Sequence, residues 1–326
     1  MIISKKKINK NLNNFFFIIF FFFFSLILLK YYTFGDQQFY IKMYEVFKVT
    51  PLKNLMEVYY QQTRGTEPIS AILLWIGANL GIDKNIYISF WNTVLIFGFL
   101  LIFKRYNVPW YITFLLIFNF YIIVLFTGAE RLKFCYILII LGLLSEGKTR
   151  SILILLSPLA HLQGLLFLPS LILIKYQKNL INFFSNFRTK NSNVKYIFFL
   201  TIVTSIFFYF FGSNILSKLK FYIIYSENFI LRDSLKVLII FLLSLIITKR
   251  YYLMSIATLP LIISALLVGG FRLNIILLSI YIYIFLTEKK IKHPLSLALI
   301  LYLFIKSIFF MKNIFINNDG FEGFLM

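Results

Sequence analysis

The sequence predicts an all-α, polytopic integral membrane protein with about nine to eleven transmembrane helices, short broken or re-entrant segments included. Three observations carry this expectation. Of the 326 residues, 60% are hydrophobic, and the mean hydropathy is +0.85. No soluble domain of this size has so much apolar sequence to hide, and the apolar runs recur near the length of ~20 residues that crosses a bilayer. The formal net charge is +21, with basic residues mostly between the runs, where they set orientation and touch anionic lipid. No soluble basic surface is left for nucleic acid, so membrane lipids rather than nucleic acid are the expected partners. No stretch is long enough for a separate soluble domain, and residues 1–326 read as one transmembrane domain.

The elements follow in order. Ser4, Lys5, Lys6 and Lys7 precede an apolar run over 12–31. The run is too long for a signal-peptide core and no small-residue cleavage site follows, so it reads as a retained anchor with a cytoplasmic N-terminus. Residues 32–85 form a polar extracytoplasmic loop. Within it, 68–82 is a short apolar stretch of helical periodicity opened by Glu67-Pro68, with proline well placed in a first turn. At about fifteen residues it suits an interfacial or re-entrant helix better than a span.

Further spans are expected at 86–103, 110–126 and 132–144, the first ending in Lys104-Arg105 and the last running into Glu146-Gly147-Lys148-Thr149-Arg150. The segment 151–174 is interrupted by Pro158, His161, Gln163, Gly164 and Pro169. A basic loop over 175–195, free of acids, reads as cytoplasmic. Spans at about 196–211, 235–247, 252–268, 273–286 and 295–311 complete the chain. Two topologies remain. If 68–82 stays outside and 151–174 is a broken hairpin, Lys104-Arg105 lies inside and every acid except Glu146 and Glu288 lies outside. If both segments cross, Lys104-Arg105 moves outside and Arg131 moves inside. The positive-inside rule favours the first.

In that topology Asp36, Glu67, Arg131, His161, Arg232, Arg272, Asp319 and Glu322 gather almost entirely on one face. An ionisable group at membrane depth is costly unless paired or wet, which makes it a functional candidate. Asp36, in Gly35-Asp36-Gln37-Gln38-Phe39-Tyr40, is a candidate to take or orient a sugar hydroxyl proton; a turn or helix cap explains it as simply. Glu67 is either a second acid in the same cavity or a carboxylate at a helix start. Arg131 carries a planar fork suited to phosphate oxygens, and could instead snorkel or pair with Glu130. Gly269-Gly270-Phe271-Arg272 supplies a second arginine at a span start, and Arg232, beside Asp233, is a third. His161 sits in broken apolar sequence, where irregular backbone must line protein or water, and its pKa range suits a general base. His293 lies in a basic loop and is not a catalytic candidate.

The lone cysteine, Cys135, rules out an intramolecular disulfide and a cysteine-based metal cluster. There is no glycine-rich nucleotide loop, no zinc-type histidine pair and no Gly-x-Ser-x-Gly elbow. Neither metal nor cofactor is expected. A glycosyl donor would have to be lipid-linked.

The order of these features resembles the EpsG-like, Wzy-type polymerases of O antigen, capsule and exopolysaccharide. Gly35-Asp36 to Tyr40 matches a Gly-Asp-x-x-x-Tyr region after the first span. Glu67-Pro68 matches an acidic-Pro pair, Arg131 an arginine at an outer span boundary, and Glu146 to Arg150 a short basic turn. His161 matches a histidine in a broken segment, and Arg272 with Tyr281 and Tyr283 an arginine before a tyrosine-rich span. Leu132-Lys133 stands where glutamine is common, and Gln163 where a small hydroxyl residue is.

The resemblance implies a glycosyltransferase of the bacterial cytoplasmic (inner) membrane that polymerises undecaprenyl-diphosphate-linked oligosaccharide units outside. A chain-length regulator and a flippase of the same pathway would be its partners. Arg131 and Arg272, with Arg232, would hold the diphosphate; His161, Asp36 and Glu67 would serve catalysis. A flippase for the same lipid-linked unit, or a related polyprenyl-phosphate-dependent transferase or ligase, is the alternative. A flippase should show two-fold repetition of its spans, and no internal repeat is visible.

Overall fold

The structure, a computed structural model, describes residues 2–168, 171, 230–249, 254–255, 258, 261–262 and 273–321. Every regular element among them is a helix. Contacts divide the chain into two units, residues 1–165 with 294–326, and residues 166–293.

The first unit opens with α1 (Ile2–Tyr31). The chain then turns through 99° into α2 (Asp36–Phe47). Gly35 makes this turn at φ 61°, a conformation that favours glycine, and a Cβ there would press on Tyr32 and Asp319. Asp36, Gln37 and Gln38 make the first turn of α2 polar, and the helix lies across the end of the unit instead of extending the crossing. A 3-10 turn (Leu52–Asn54) leads to α3 (Leu55–Thr63). The short apolar stretch forms α4 (Pro68–Asn79) with Pro68 in its first turn, where the missing N–H costs no helical bond.

α5 (Lys84–Arg105) is capped by Asp83, which accepts the N–H groups of Asn85 and Ile86 at 2.8 and 3.1 Å. It packs on α1 through a small buried polar chain. Asn92 donates to Ser25 at 2.6 Å, and Ser25 to Ser89 at 3.1 Å.

The expected span at 110–126 is two helices, α6 (Trp110–Ile117) and α7 (Phe120–Thr127), bent by 46°. Asn119 makes the break. Its Oδ1 accepts the N–H groups of Tyr121 and Ile122 at 2.9 and 3.1 Å, and Ser307 donates to the Phe118 carbonyl at 2.5 Å. These side chains satisfy backbone groups that lipid could not.

α8 (Glu130–Leu144) and α9 (Gly147–Ala160) form an antiparallel hairpin, with Gly142 against Ile154 and Gly164 against Cys135. α9 stops at His161, whose backbone is extended, and a 3-10 turn (Leu162–Leu166) follows. Pro158 lies inside α9, so the interruption falls at His161.

The second unit contains α10 (Ile230–Ile247) and α11 (Leu273–Thr287). Glu288, just past α11, accepts the Thr248 hydroxyl at 2.7 Å and so ties the two helix ends together. The expected spans at 196–211 and 252–268 are not described as elements: the first, the loop at 175–195, and most of the second lie outside the described residues.

α12 (Pro294–Asn317) belongs to the first unit and runs parallel to α6 and α7, with Phe304 near Phe114 and Phe310 near Phe120. Thr33 and Phe34 both donate to the Asn318 carbonyl at 3.1 Å, so α1 and α12 finish together. The end of α7 and the starts of α5 and α8 meet there too. Arg105 and the turn before Lys148 lie at the other end, where Arg105 donates to the Leu143 carbonyl at 3.0 Å.

Glu67 precedes α4 and Lys84 follows it, and they bond consecutive residues of α8, Arg131 at 3.3 Å and Glu130 at 2.8 Å. α4 therefore begins and ends on the same side of the unit and does not cross it. Among the described residues, α5 and α12 are long and apolar enough to cross a membrane. The count rises to four if each bent pair, α1 with α2 and α6 with α7, is one span. α12 exposes Leu301, Tyr302, Ile305, Ile308 and Phe309, an apolar outward face.

Candidate functional site

Two buried polar clusters share the end of the first unit where α1 finishes. They are built on consecutive residues of α8. Neighbours on a helix point about 100° apart, so Glu130 and Arg131 do not pair with each other and serve different partners.

Glu130 is fully buried. Its Oε1 accepts from Lys84 Nζ and from Gln37 Nε2, both at 2.8 Å. Lys84 also donates to Gln37 Oε1 at 2.6 Å, closing a triangle between α2, α5 and α8. Gln37 Nε2 donates as well to the Thr127 carbonyl at the end of α7. Lys133 stands one turn along α8 on the face of Glu130, is 0% exposed and, among the described residues, reaches only the Phe126 carbonyl, at 3.5 Å.

Arg131 points to α2, α3 and the start of α4. Its Nη1 donates to Glu67 Oε2 at 3.3 Å and its Nε to the Tyr40 hydroxyl at 3.3 Å. Glu67 is 1% exposed and Arg131 12%. The same Glu67 oxygen accepts from Thr66 N–H at 2.9 Å and from the Tyr59 hydroxyl at 3.4 Å. Burial pushes the Tyr59 phenol up, against the opposing pull of Arg131, so it remains a donor at neutral pH. A guanidinium carries five N–H donors, and Glu67 and the tyrosines use only part of them. Gly65 lies directly on this pair. A Cβ there would meet Arg131 Nη1, and Glu67 Oε2 at 2.5 Å.

Asp36 is half-buried on α2, one turn before Tyr40. Four residues along a helix share a face, so the backbone position of Asp36 lies ~6 Å along the helix from that of the tyrosine that touches Arg131. His161 joins from α9. Ser70, one turn after Glu67, donates to the Ala160 carbonyl at 2.5 Å and fixes the chain just before the histidine. His161 Nδ1 accepts the Gln163 N–H at 3.2 Å. With Nδ1 accepting, a neutral ring carries its hydrogen on Nε2.

The structure thus brings Asp36, Glu67, Arg131 and His161 to one end of one unit. Arg272, Glu322 and the Arg232 side chain lie outside the described residues. Sequence reading did not single out Tyr59, Lys84 or Lys133 as parts of a site, and considered Glu130 only as a partner for Arg131. A lysine opening an apolar helix and another inside one were the available signals.

Lys84 and Lys133 are buried here and Arg131 nearly so, together with the buried carboxylates of Glu67 and Glu130 and the half-buried Asp36. One oxygen of each buried carboxylate accepts the bonds described, and Glu130 Oε2 is buried without a hydrogen-bond partner among the described residues. No protein family, curated protein or solved structure matches this chain.

Proposed function

We propose that this chain is a glycan polymerase of the bacterial cytoplasmic membrane, a multi-pass protein with its N-terminus inside. It would join undecaprenyl-diphosphate-linked oligosaccharide units at the outer face, in the synthesis of O antigen, capsule or exopolysaccharide. One observation supports the reading: a nearly covered arginine fork held by the Glu67 carboxylate and the Tyr40 hydroxyl, with Tyr59 on the same carboxylate. A diphosphate is the anion such a fork matches.

In the reaction, a hydroxyl oxygen of the acceptor unit attacks the anomeric carbon of the donor glycan. The bond from that carbon to the diphosphate oxygen breaks, and its electron pair leaves on undecaprenyl diphosphate. Arg131 bears the charge that develops there, the electrostatic contribution that is usually largest. Glu67, Tyr40 and Tyr59 set its orientation. Asp36 takes the hydroxyl proton. His161, as a donor from Nε2, orients the acceptor hydroxyl or a phosphate oxygen. Arg272 is proposed to bind the second phosphate, with Arg232 as a further contact.

The test is deletion of the gene, complementation with wild type, Arg131→Ala or Arg272→Ala at matched protein level, and a gel of surface polysaccharide. Ladders with wild type and single-repeat glycans with the variants are expected. Loss of all surface glycan, with lipid-linked units trapped inside, would assign a flippase instead. An unchanged ladder in the deletion strain would remove the polysaccharide reading altogether.

A further inference from the structure

Arg131 is nearly covered, and what covers it is the strap 63–67 between α3 and α4. The strap is built by local chemistry. Thr63 Oγ1 donates to the Tyr59 carbonyl at 2.8 Å and accepts the Gly65 N–H at 3.1 Å. Thr66 N–H closes on Glu67 Oε2 at 2.9 Å. Gly65 is buried against the Arg131–Glu67 pair and leaves no room for a side chain.

The residue before it is Arg64. It is exposed, and its backbone is left-handed at φ 51°. Arg64 ends α3 as its C-cap, a position where helices commonly turn left-handed, and its N–H donates to the Tyr60 carbonyl at 2.8 Å. Its guanidinium carbon lies 5.7 Å from the centre of the Tyr60 ring. Gly65 thus has Arg131 against its backbone and Arg64 next to it in the chain.

We propose that Arg64 is a second diphosphate-binding residue. It receives the headgroup of a polyprenyl diphosphate at the surface and shares it with Arg131 when the strap shifts. This rests on the reading of the chain as a polyprenyl-diphosphate enzyme, and adds the residue that admits the headgroup to the buried fork. The cation–π contact is weak at an exposed site, so a phosphate can replace Tyr60 as the partner of Arg64 at small cost. A bidentate guanidinium–phosphate pair is the stronger contact.

The experiment uses the purified full chain in detergent, with farnesyl diphosphate and farnesyl monophosphate as probes and binding read by calorimetry. Wild type should prefer the diphosphate. Arg64→Ala should weaken the diphosphate about tenfold, the equivalent of one good contact, and the monophosphate much less. Arg64→Lys should recover part of the loss, and the thermal midpoint without ligand should not move. If wild type binds the diphosphate and Arg64→Ala binds it as tightly, Arg64 has no such role and the enzyme reading stands. If wild type binds neither probe, both fall together.

Discussion

Glu130 and Arg131 are adjacent on α8, both form buried ion pairs across the chain, and the two pairs differ in kind. Lys84–Glu130 is short, at 2.8 Å, with the lysine 7% exposed and the carboxylate 0%. Gln37 bonds both partners. Arg131–Glu67 is looser, at 3.3 Å, and its arginine is 12% exposed. It is roofed by a glycine strap, and donors remain on the guanidinium. The first joins three helices. The second holds an arginine in orientation, and under the proposed function it is this arginine that would take a phosphate. What separates the two is the surroundings: Gln37 bonds both members of the first pair, whereas the Gly65 backbone lies directly on the second.

The largest effect expected from this comparison is on the clasp. Removing one partner of a buried pair leaves the other charge uncompensated, at ~3–5 kcal/mol. Lys84→Ala or Glu130→Ala should abolish accumulation of folded protein in the membrane, read by fluorescence-detected size exclusion. The double variant Lys84→Met with Glu130→Leu should recover much of it, because no charge is stranded. Normal accumulation of either single variant would mean the pair is not a clasp.

The fork should respond differently. Arg131→Lys keeps the charge and loses the bidentate geometry. We expect near-normal protein level and a loss of polymerised glycan of about 10²–10³-fold, as for removal of a principal electrostatic contact. A ladder of normal length would show that a point charge suffices there, against a role in holding a diphosphate in a fixed fork.

The contrast between the pairs was only half visible in the sequence. Glu67-Pro68 marks the start of α4 because proline fits a first turn, and the stop at His161 follows from broken apolar sequence with glycine just beyond. The split at Asn119 was not read, since an asparagine within an apolar run gives no hint that its side chain will cap a new helix. The ion pairs were out of reach for a plainer reason. Arg131 and Glu67 are 64 positions apart, Lys84 and Glu130 46, and only packing selects such partners. What local geometry does settle is that Glu130 cannot serve Arg131, because consecutive helical residues diverge. Asp36 and Tyr40 sharing a face is legible in the same way, from spacing alone.

The strap offers a sharper separation. Gly65→Ala places a methyl group against Arg131 Nη1 and Glu67 Oε2. Overpacking of this kind costs ~1–3 kcal/mol, and here the strap can lift to relieve it. Glycan length should fall strongly while the thermal midpoint falls modestly. If instead the protein disappears from the membrane as with Glu130→Ala, the strap belongs to the clasp and not to a removable cover.

Ser70→Ala should have the smallest effect and tests whether His161 belongs with the fork. The Ser70 hydroxyl donates to the Ala160 carbonyl at 2.5 Å, both groups buried. Losing one such bond costs ~1 kcal/mol, too little to prevent folding. Its position matters more than its strength, since Ala160 is the last residue of α9 and His161 follows in extended backbone. If the histidine orients an acceptor group beside Arg131, Ser70→Ala should shorten the glycan at unchanged protein level, and Ser70→Thr, which keeps the hydroxyl, should restore it. Equal glycan length in Ser70→Ala and wild type, with the midpoint lowered, would leave the bond a packing contact between α4 and α9. The working site would then reduce to the arginine fork and Asp36.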